Sequence, residues 1–293
     1  MRAAVAVLAL VVAVTVLAVM ATRSATPVAL EEQVREFTRQ LTPGGPYRAP
    51  EREERHAVVG AVAAMAAAGP EAAGDAGADA RRELDRAGFA VAVVPDKAGH
   101  RYLVAQSDPA SERSWGLVAL PLERLARLIV EVPHPNSDYG TENVGLAVLG
   151  ALPDAIYLQA GAHRRAAGER ADVAHQEDSL FHALAVDLSV RLRLPQLQLH
   201  GFGERDELDD DVVISSGPAD PEPVVRAVAD RLEESGLSVC RAWARRCHGL
   251  EGTTNVQAAA ADRAGLPFAH VEMSAWVRRS PDALAGALAA LGG

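Results

Sequence analysis

In "LIVEVPHPNSDYGTE" an apolar run is followed at once by His134, then by Asp138 and Glu142. An imidazole and a carboxylate carried on one short loop are the kind of pair that supplies two of the three protein ligands of a catalytic zinc ion, whose fourth position is left to water. "QLQLHGFGE" offers a third donor, His200, where another apolar run ends. Each has a plainer use as well. Glu142 falls in the first turn of a helix, where the dipole alone favours it, Asp138 suits a turn of the "NSD" type, and a lone strand-end histidine is ordinarily satisfied by a local hydrogen bond. In "FAHVEMSAWVR" the alternation of a strand puts His270, Glu272 and Ser274 on one side. A carboxylate inside a buried strand is costly unless it is paired or functional. The functional use of Glu272 is to take a proton from an activated water and return it to a leaving amine. The structural use is an ion pair with Arg278 or Arg164. "AGAHRRAAGERADVAHQEDSLFH" adds His163, Arg164, Asp172, His175 and His182. Arg164, beside His163, has the fork geometry that grips a substrate carboxylate. Asp172 and His175 read as helix caps that stand behind the site rather than at the metal, and His182 as packing on the helix face.

These residues need strands to end together. From residue 122 onward, strand-type runs ("LIVEVP", "AIYLQAG", "QLQL", "DVVISSG", "LSVCRAW", "FAHVEMS") alternate with helix-type segments ("ENVGLAVLGAL", "SLFHALAVDLSVRL", "PVVRAVADRLEESG", "NVQAAAADRAG", "PDALAGALAAL"). That order predicts an α/β fold: a three-layer αβα sandwich around a mixed, largely parallel sheet. In such sheets chemistry collects at the carboxyl ends of the strands, which is where His134, His163, Arg164 and His200 stand. Before residue 122, Leu30, Val34, Phe37 and Leu41 recur at helical spacing, and "FAVAVVP", "RYLVAQ" and "WGLVALP" read as strands of a sheet edge.

Composition narrows the function. A formal net charge of −10 argues against a nucleic-acid partner, whose binding needs basic surface. No G-x-S-x-G elbow occurs, which disfavours a serine esterase. Arg2 followed by an uncharged run from Ala3 to Ala21 reads as an export signal or an uncleaved membrane anchor. The chain is therefore expected to be secreted or periplasmic, touching a membrane only through that segment. Residues 1–25 form the signal or anchor, 26–121 an N-terminal helical and β extension, and 122–293 the main α/β domain. In an oxidising compartment Cys240 and Cys247 are expected to be bridged across their short loop.

Taken together, the motifs resemble the zinc-dependent carboxypeptidase-like hydrolases, most closely the poly-γ-glutamate hydrolase branch and more remotely the N-formylglutamate amidohydrolases. The match runs from about Leu128 to Arg278 through "HPNSDYGTENVG", "LQLHGFG", "LEGTTNVQ" and "HVEMSAWVR". The resemblance implies that Zn2+ is held by His134, Asp138 and His200, with Asp138 rather than Glu142 as the second ligand. It makes Glu272 the catalytic base and aligns Gly252, Asn255 and Arg278 with the family's substrate-side loop and arginine. An aspartate stands where the carboxypeptidases use a glutamate. The expected activity is hydrolysis of an amide bond in a small peptide or acidic amide substrate, of peptide or γ-glutamyl type, with Arg164, Arg278, Asn255 and His163 at the substrate. A catalytically inactive binding module on the same scaffold is the alternative.

Overall fold

The structure, a computed structural model, describes residues 28–203 and 209–293. The predicted export segment, residues 1–25, lies outside the described residues. The chain first forms α1 (Leu30–Gln40), α2 (Arg52–Ala68) and α3 (Ala78–Arg86), then three strands, β1 (Phe89–Pro95), β2 (Arg101–Ser107) and β3 (Gly116–Pro121). The expected α1 stripe of Leu30, Val34, Phe37 and Leu41 is buried throughout. There follow β4 (Leu128–Val132), α4 (Thr141–Ala151), β5 (Ala155–Ala160), α5 (Leu180–Leu192), β6 (Gln196–Gly201), β7 (Val212–Ser215), α6 (Pro223–Glu234), β8 (Val239–Arg241), α7 (Val256–Ala264), β9 (Phe268–Met273) and α8 (Pro281–Ala289).

All nine strands join one sheet in the order β1-β2-β3-β5-β4-β6-β9-β7-β8. Its centre, β5-β4-β6-β9, is parallel, whereas β1, β2 and β3 pair antiparallel with one another and with β5, and β7 runs antiparallel to β9 before pairing parallel with β8. Residues 89–121 thus complete one end of the same sheet that carries the candidate site. Helices cover both faces, as the alternation predicts. Leu128, Val130 and Val132 of β4, Leu197 and Leu199 of β6, and Ala269, Val271 and Met273 of β9 pack with α1, α4, α6 and α8. Ile129, Ile156 and Leu158 face the other way, against side chains of α2, α3 and α5. Burying one such Leu or Ile contributes about 1.5–3 kcal/mol, so the central strands are pinned on both sides.

The second face is apolar along β5 and turns polar along β4, β6 and β9. There Glu131, Gln196, Gln198, His200 and His270 are all buried, in positions that a folding core fills with hydrophobes unless something else requires polarity.

Candidate metal centre

β4 stops at Val132 and the chain turns so tightly that Asp138 N donates to His134 O at 3.0 Å. This single helical-type turn brings the two side chains together, with His134 Nδ1 3.2 Å from Asp138 Oδ2. β6 is the parallel neighbour of β4, so its last residues arrive at the same edge. His200 Nδ1 lies 3.5 Å from that same Asp138 oxygen. One donor atom from each of His134, Asp138 and His200 lies within 4.8 Å of the others, and all three residues are buried. Glu142, the competing carboxylate, sits in the first turn of α4 with its side chain accepting from Asn143 Nδ2, outside this cluster.

The outer nitrogens of both imidazoles are held from behind. His134 Nε2 meets Asp172 Oδ1 at 2.8 Å and His200 Nε2 meets Gln198 Oε1 at 2.7 Å. An acceptor behind each ring favours a proton on Nε2, which leaves Nδ1 as the nitrogen able to coordinate a metal ion once it is unprotonated. A carboxylate and two imidazole lone pairs converging out of water call for a cation. This donor set therefore fits zinc or a similar divalent ion. In the structure Arg164 supplies some of that positive charge, with Nη1 3.3 Å from His134 Nδ1 and 3.9 Å from Asp138 Oδ1, and Nη2 on Asp172 Oδ2 at 2.7 Å.

The expected capping role of Asp172 and His175 is corrected here. Ser179 caps α5, its hydroxyl accepting from His182 N, which leaves Asp172 free to face His134. His175 is exposed, with Nδ1 3.2 Å from Asp172 Oδ1.

The charges follow from burial and partners. Burial pushes the His134 imidazole down, but its hydrogen bonds to Asp138 and Asp172 outweigh this and leave it above the ordinary histidine range. Asp138 is raised by burial and lowered more by His134 and His200, ending well below the usual carboxylate range. Burial depresses His200 to about 4, so it is neutral. Without metal, then, a proton on His134 is favoured by the two aspartates beyond the ordinary histidine range, and a metal ion competes with it. We expect apparent metal affinity to fall about tenfold for each pH unit below the raised His134 value, with proton release on binding. Calorimetry in buffers of different ionisation enthalpy measures both; affinity independent of pH from weakly acidic to neutral solution would contradict it.

β9 is the other neighbour of β6, in a register that sets His200 opposite Glu272 and Gln198 opposite His270. Glu272 therefore stands one strand spacing, about 4.8 Å at the backbone, from a candidate ligand and on the same face. It is partly exposed, while its neighbours are buried. His270 lies against His200, ring centroids 4.5 Å apart. Gly252 is what allows this: at φ +62° it passes so close that a Cβ there would sit 2.8 Å from the His270 ring. His200, His270 and Glu272 form a second possible ligand group, but the outer nitrogen of His200 is already engaged by Gln198.

The residues assigned to substrate separate. Arg164 is at the donor cluster, partly exposed. His163 is buried after β5, its Nδ1 accepting from Arg165 N at 3.2 Å, and burial followed by the two neighbouring arginines keeps it below the ordinary histidine range. Arg278 donates through Nε to Tyr139 O at 2.7 Å and through Nη1 to Phe202 O at 3.2 Å and to Met273 O, tying together the loops after β4, β6 and β9. Gly201 is required beside it, since a Cβ would fall 2.2 Å from Nη1. Asn255 is buried at the N-cap of α7, accepting from Ala258 N at 2.9 Å and donating to Gln198 Oε1. Its partners are helix and amide, and it lies behind the candidate ligand His200. Gln198 was visible in the sequence only as an alternate strand position, and Glu131 not at all: its carboxyl, buried and pushed up to about 8, accepts from Gln198 Nε2 at 2.8 Å. Cys240 and Cys247 form a disulfide, as expected.

No family model matches the chain, and no curated protein matches it. Among solved structures, the chain is similar to a bacteriophage poly-gamma-glutamate hydrolase at 13% identity, with 56% of this chain and 82% of that one covered and a TM-score of 0.41. It is also similar to an aspartoacylase family protein from Mesorhizobium loti (13% identity, 71% and 68% covered, TM-score 0.41) and to the succinylglutamate desuccinylase from Chromobacterium violaceum (14% identity, 72% and 70% covered, TM-score 0.39). What makes the cluster a candidate metal centre is its own donor geometry.

Proposed function

We propose that this chain is an exported zinc-dependent hydrolase that cleaves an amide bond of peptide or γ-glutamyl type. The observation that carries the reading is the convergence of His134 Nδ1, Asp138 and His200 Nδ1 at the carboxyl ends of the central strands β4 and β6, with Glu272 beside His200 in register. Zinc held by these three residues supplies a Lewis acid that polarises an amide carbonyl and acidifies water. The Glu272 carboxylate accepts a proton from the attacking water and hands it to the leaving nitrogen, which departs as an amine. Arg164, at the rim of the cluster, is placed to hold a substrate carboxylate or to stabilise the oxygen on which negative charge develops. The Cys240–Cys247 disulfide and the uncharged N-terminal run support the extracytoplasmic address.

Zinc analysis of the purified protein, followed by assay on γ-glutamyl and peptide amides, tests the reading. About one zinc per chain with turnover is expected. No zinc in the folded, zinc-supplemented protein would sink it, and zinc without turnover on any amide would identify a binding module.

Arg164 gives a sharper expectation because it competes for the same acceptors. Arg164→Gln should bind zinc at least as tightly as wild type, since a guanidinium no longer faces His134, while kcat falls by about 10²–10³ as when one oxyanion donor is lost. Weaker zinc binding in that variant would show that the arginine supports the site instead.

A further inference from the structure

The buried amides behind His200 form a chain whose direction is set by the backbone. It starts at α7, where Asn255 caps the helix by accepting from Ala258 N at 2.9 Å through Oδ1. A backbone N–H is a donor only, so the Asn255 oxygen must point to the helix and its Nδ2 must point away, at Gln198 Oε1. On the other side, Gln257 Nε2 donates to Val173 O at 2.8 Å; a carbonyl only accepts, so Gln257 presents Oε1 toward Gln198 Nε2, at 3.3 Å. The Glu131 carboxyl accepts from the same Gln198 nitrogen at 2.8 Å. Both ends of the Gln198 carboxamide are thereby fixed: oxygen toward Asn255 and His200, nitrogen toward Glu131 and Gln257. All of these side chains are buried, so water is not at hand to replace a partner that turns over.

We propose that Asn255 and Gln198 act as positioning residues for the metal site: the helix cap orients Asn255, Asn255 orients Gln198, and Gln198 Oε1 holds His200 as the Nε2–H tautomer with its Nδ1 lone pair directed at Asp138. The proposal rests on the reading of His200 as a metal ligand only for its consequence; the tautomer itself is a property of the metal-free chain. A fixed tautomer matters because the Nδ1–H form of His200 would put a proton where a metal ion must bind, and the ring would have to release it first. Loss of an outer-shell partner of this kind typically costs about 10–100-fold in metal affinity.

The decisive variant is Asn255→Asp. An aspartate keeps an oxygen for Ala258 N, so the cap survives, but its second oxygen accepts where the amide nitrogen donated. Gln198 must then turn its nitrogen toward Asp and His200, His200 Nε2 becomes the acceptor, and its proton moves to Nδ1. Long-range proton–nitrogen correlation on histidine-labelled, metal-free protein at mildly alkaline pH reads the tautomer directly, with His200 assigned by its absence in His200→Ala. The wild type should show Nε2–H, Asn255→Asp should show Nδ1–H, and zinc affinity should fall about 10–100-fold between them. An Nδ1–H wild type, or an Asn255→Asp protein that keeps Nε2–H and full affinity, overturns the proposal. Should Asn255→Asp not fold, Gln198→Leu, which removes the acceptor, should give mixed tautomers and weakened zinc binding, whereas Gln198→Glu, which retains an acceptor there, should restore Nε2–H; no difference between the two overturns it. An Nε2–H wild type that binds no zinc would remove the hydrolase reading and leave the orienting chain in place.

Discussion

Glu272→Gln is expected to lower kcat by about 10²–10⁴-fold, the contribution of a positioned general base, while leaving zinc content and folding unchanged. Glutamine is isosteric with glutamate, so the packing of β9 beside β6 and the register that sets residue 272 opposite His200 should persist. What is lost is the ability to accept and return a proton. Because His134, Asp138 and His200 form a complete three-residue donor set without Glu272, metal binding and catalysis should separate cleanly in this variant. Zinc content by elemental analysis beside steady-state kinetics makes the comparison. Full activity in a zinc-loaded Glu272→Gln protein would remove Glu272 from the mechanism; loss of zinc along with activity would mean that it helps hold the metal.

His200→Ala and His134→Ala should both lose zinc, by more than the roughly 100-fold that the loss of an outer-shell partner costs, yet they should differ in stability without metal. His200 is neutral in the folded chain, held to about 4 by burial, so its removal costs packing against His270 and one hydrogen bond to Gln198. His134 lies between Asp138 and Asp172 and is raised above its ordinary value. A raised histidine contributes stability that is fully present below its unfolded value, near 6.5, and is lost as pH climbs through the folded one. The excess instability of His134→Ala over His200→Ala should therefore be greatest in weakly acidic solution and shrink toward alkaline pH. Denaturant titrations of the metal-free proteins across that range test it, and an excess that grows with pH would mean that the two aspartates do not share a charge on His134.

Both expectations use residues that the sequence already marks. Polar groups at the ends of apolar runs are conspicuous because strand ends in α/β sheets face solvent and carry function, while strand interiors do not tolerate unpaired charge. His134 and His200 end apolar runs, Asp138 follows His134 on the same short loop and Glu272 interrupts an apolar strand, and the structure brings the first three into one cluster with the fourth beside it. The alternation of strands and helices after residue 122 likewise specified layers on both sides of a sheet, since each run has only one way to hide its apolar face. The choice between Asp138 and Glu142 needed the fold: the turn closed by Asp138 N on His134 O aims Asp138 at the histidines, and the start of α4 carries Glu142 away.

Residues whose role depends on a neighbour in space were not legible. Glu131 looks like any polar residue in a five-residue strand until β6 is laid beside β4 and Gln198 meets it. Asp172 resembles a cap until Ser179 takes that position. Asn255 aligns with a substrate loop, but α7 uses it as a cap and Gln198 uses its amide. Local sequence sets the type of each element through periodicity, turn residues and caps, which act over a few residues. Strand order is set by which apolar faces can be buried together by pairings far apart in the chain. The last strand, β9, lies between β6 and β7, where Gln196 pairs with Phe268 and His200 with Glu272, residues far apart in the chain. That insertion, driven by burial of Ala269, Val271 and Met273 against the helices of one face, is what turns a histidine and a glutamate from distant segments into one candidate site.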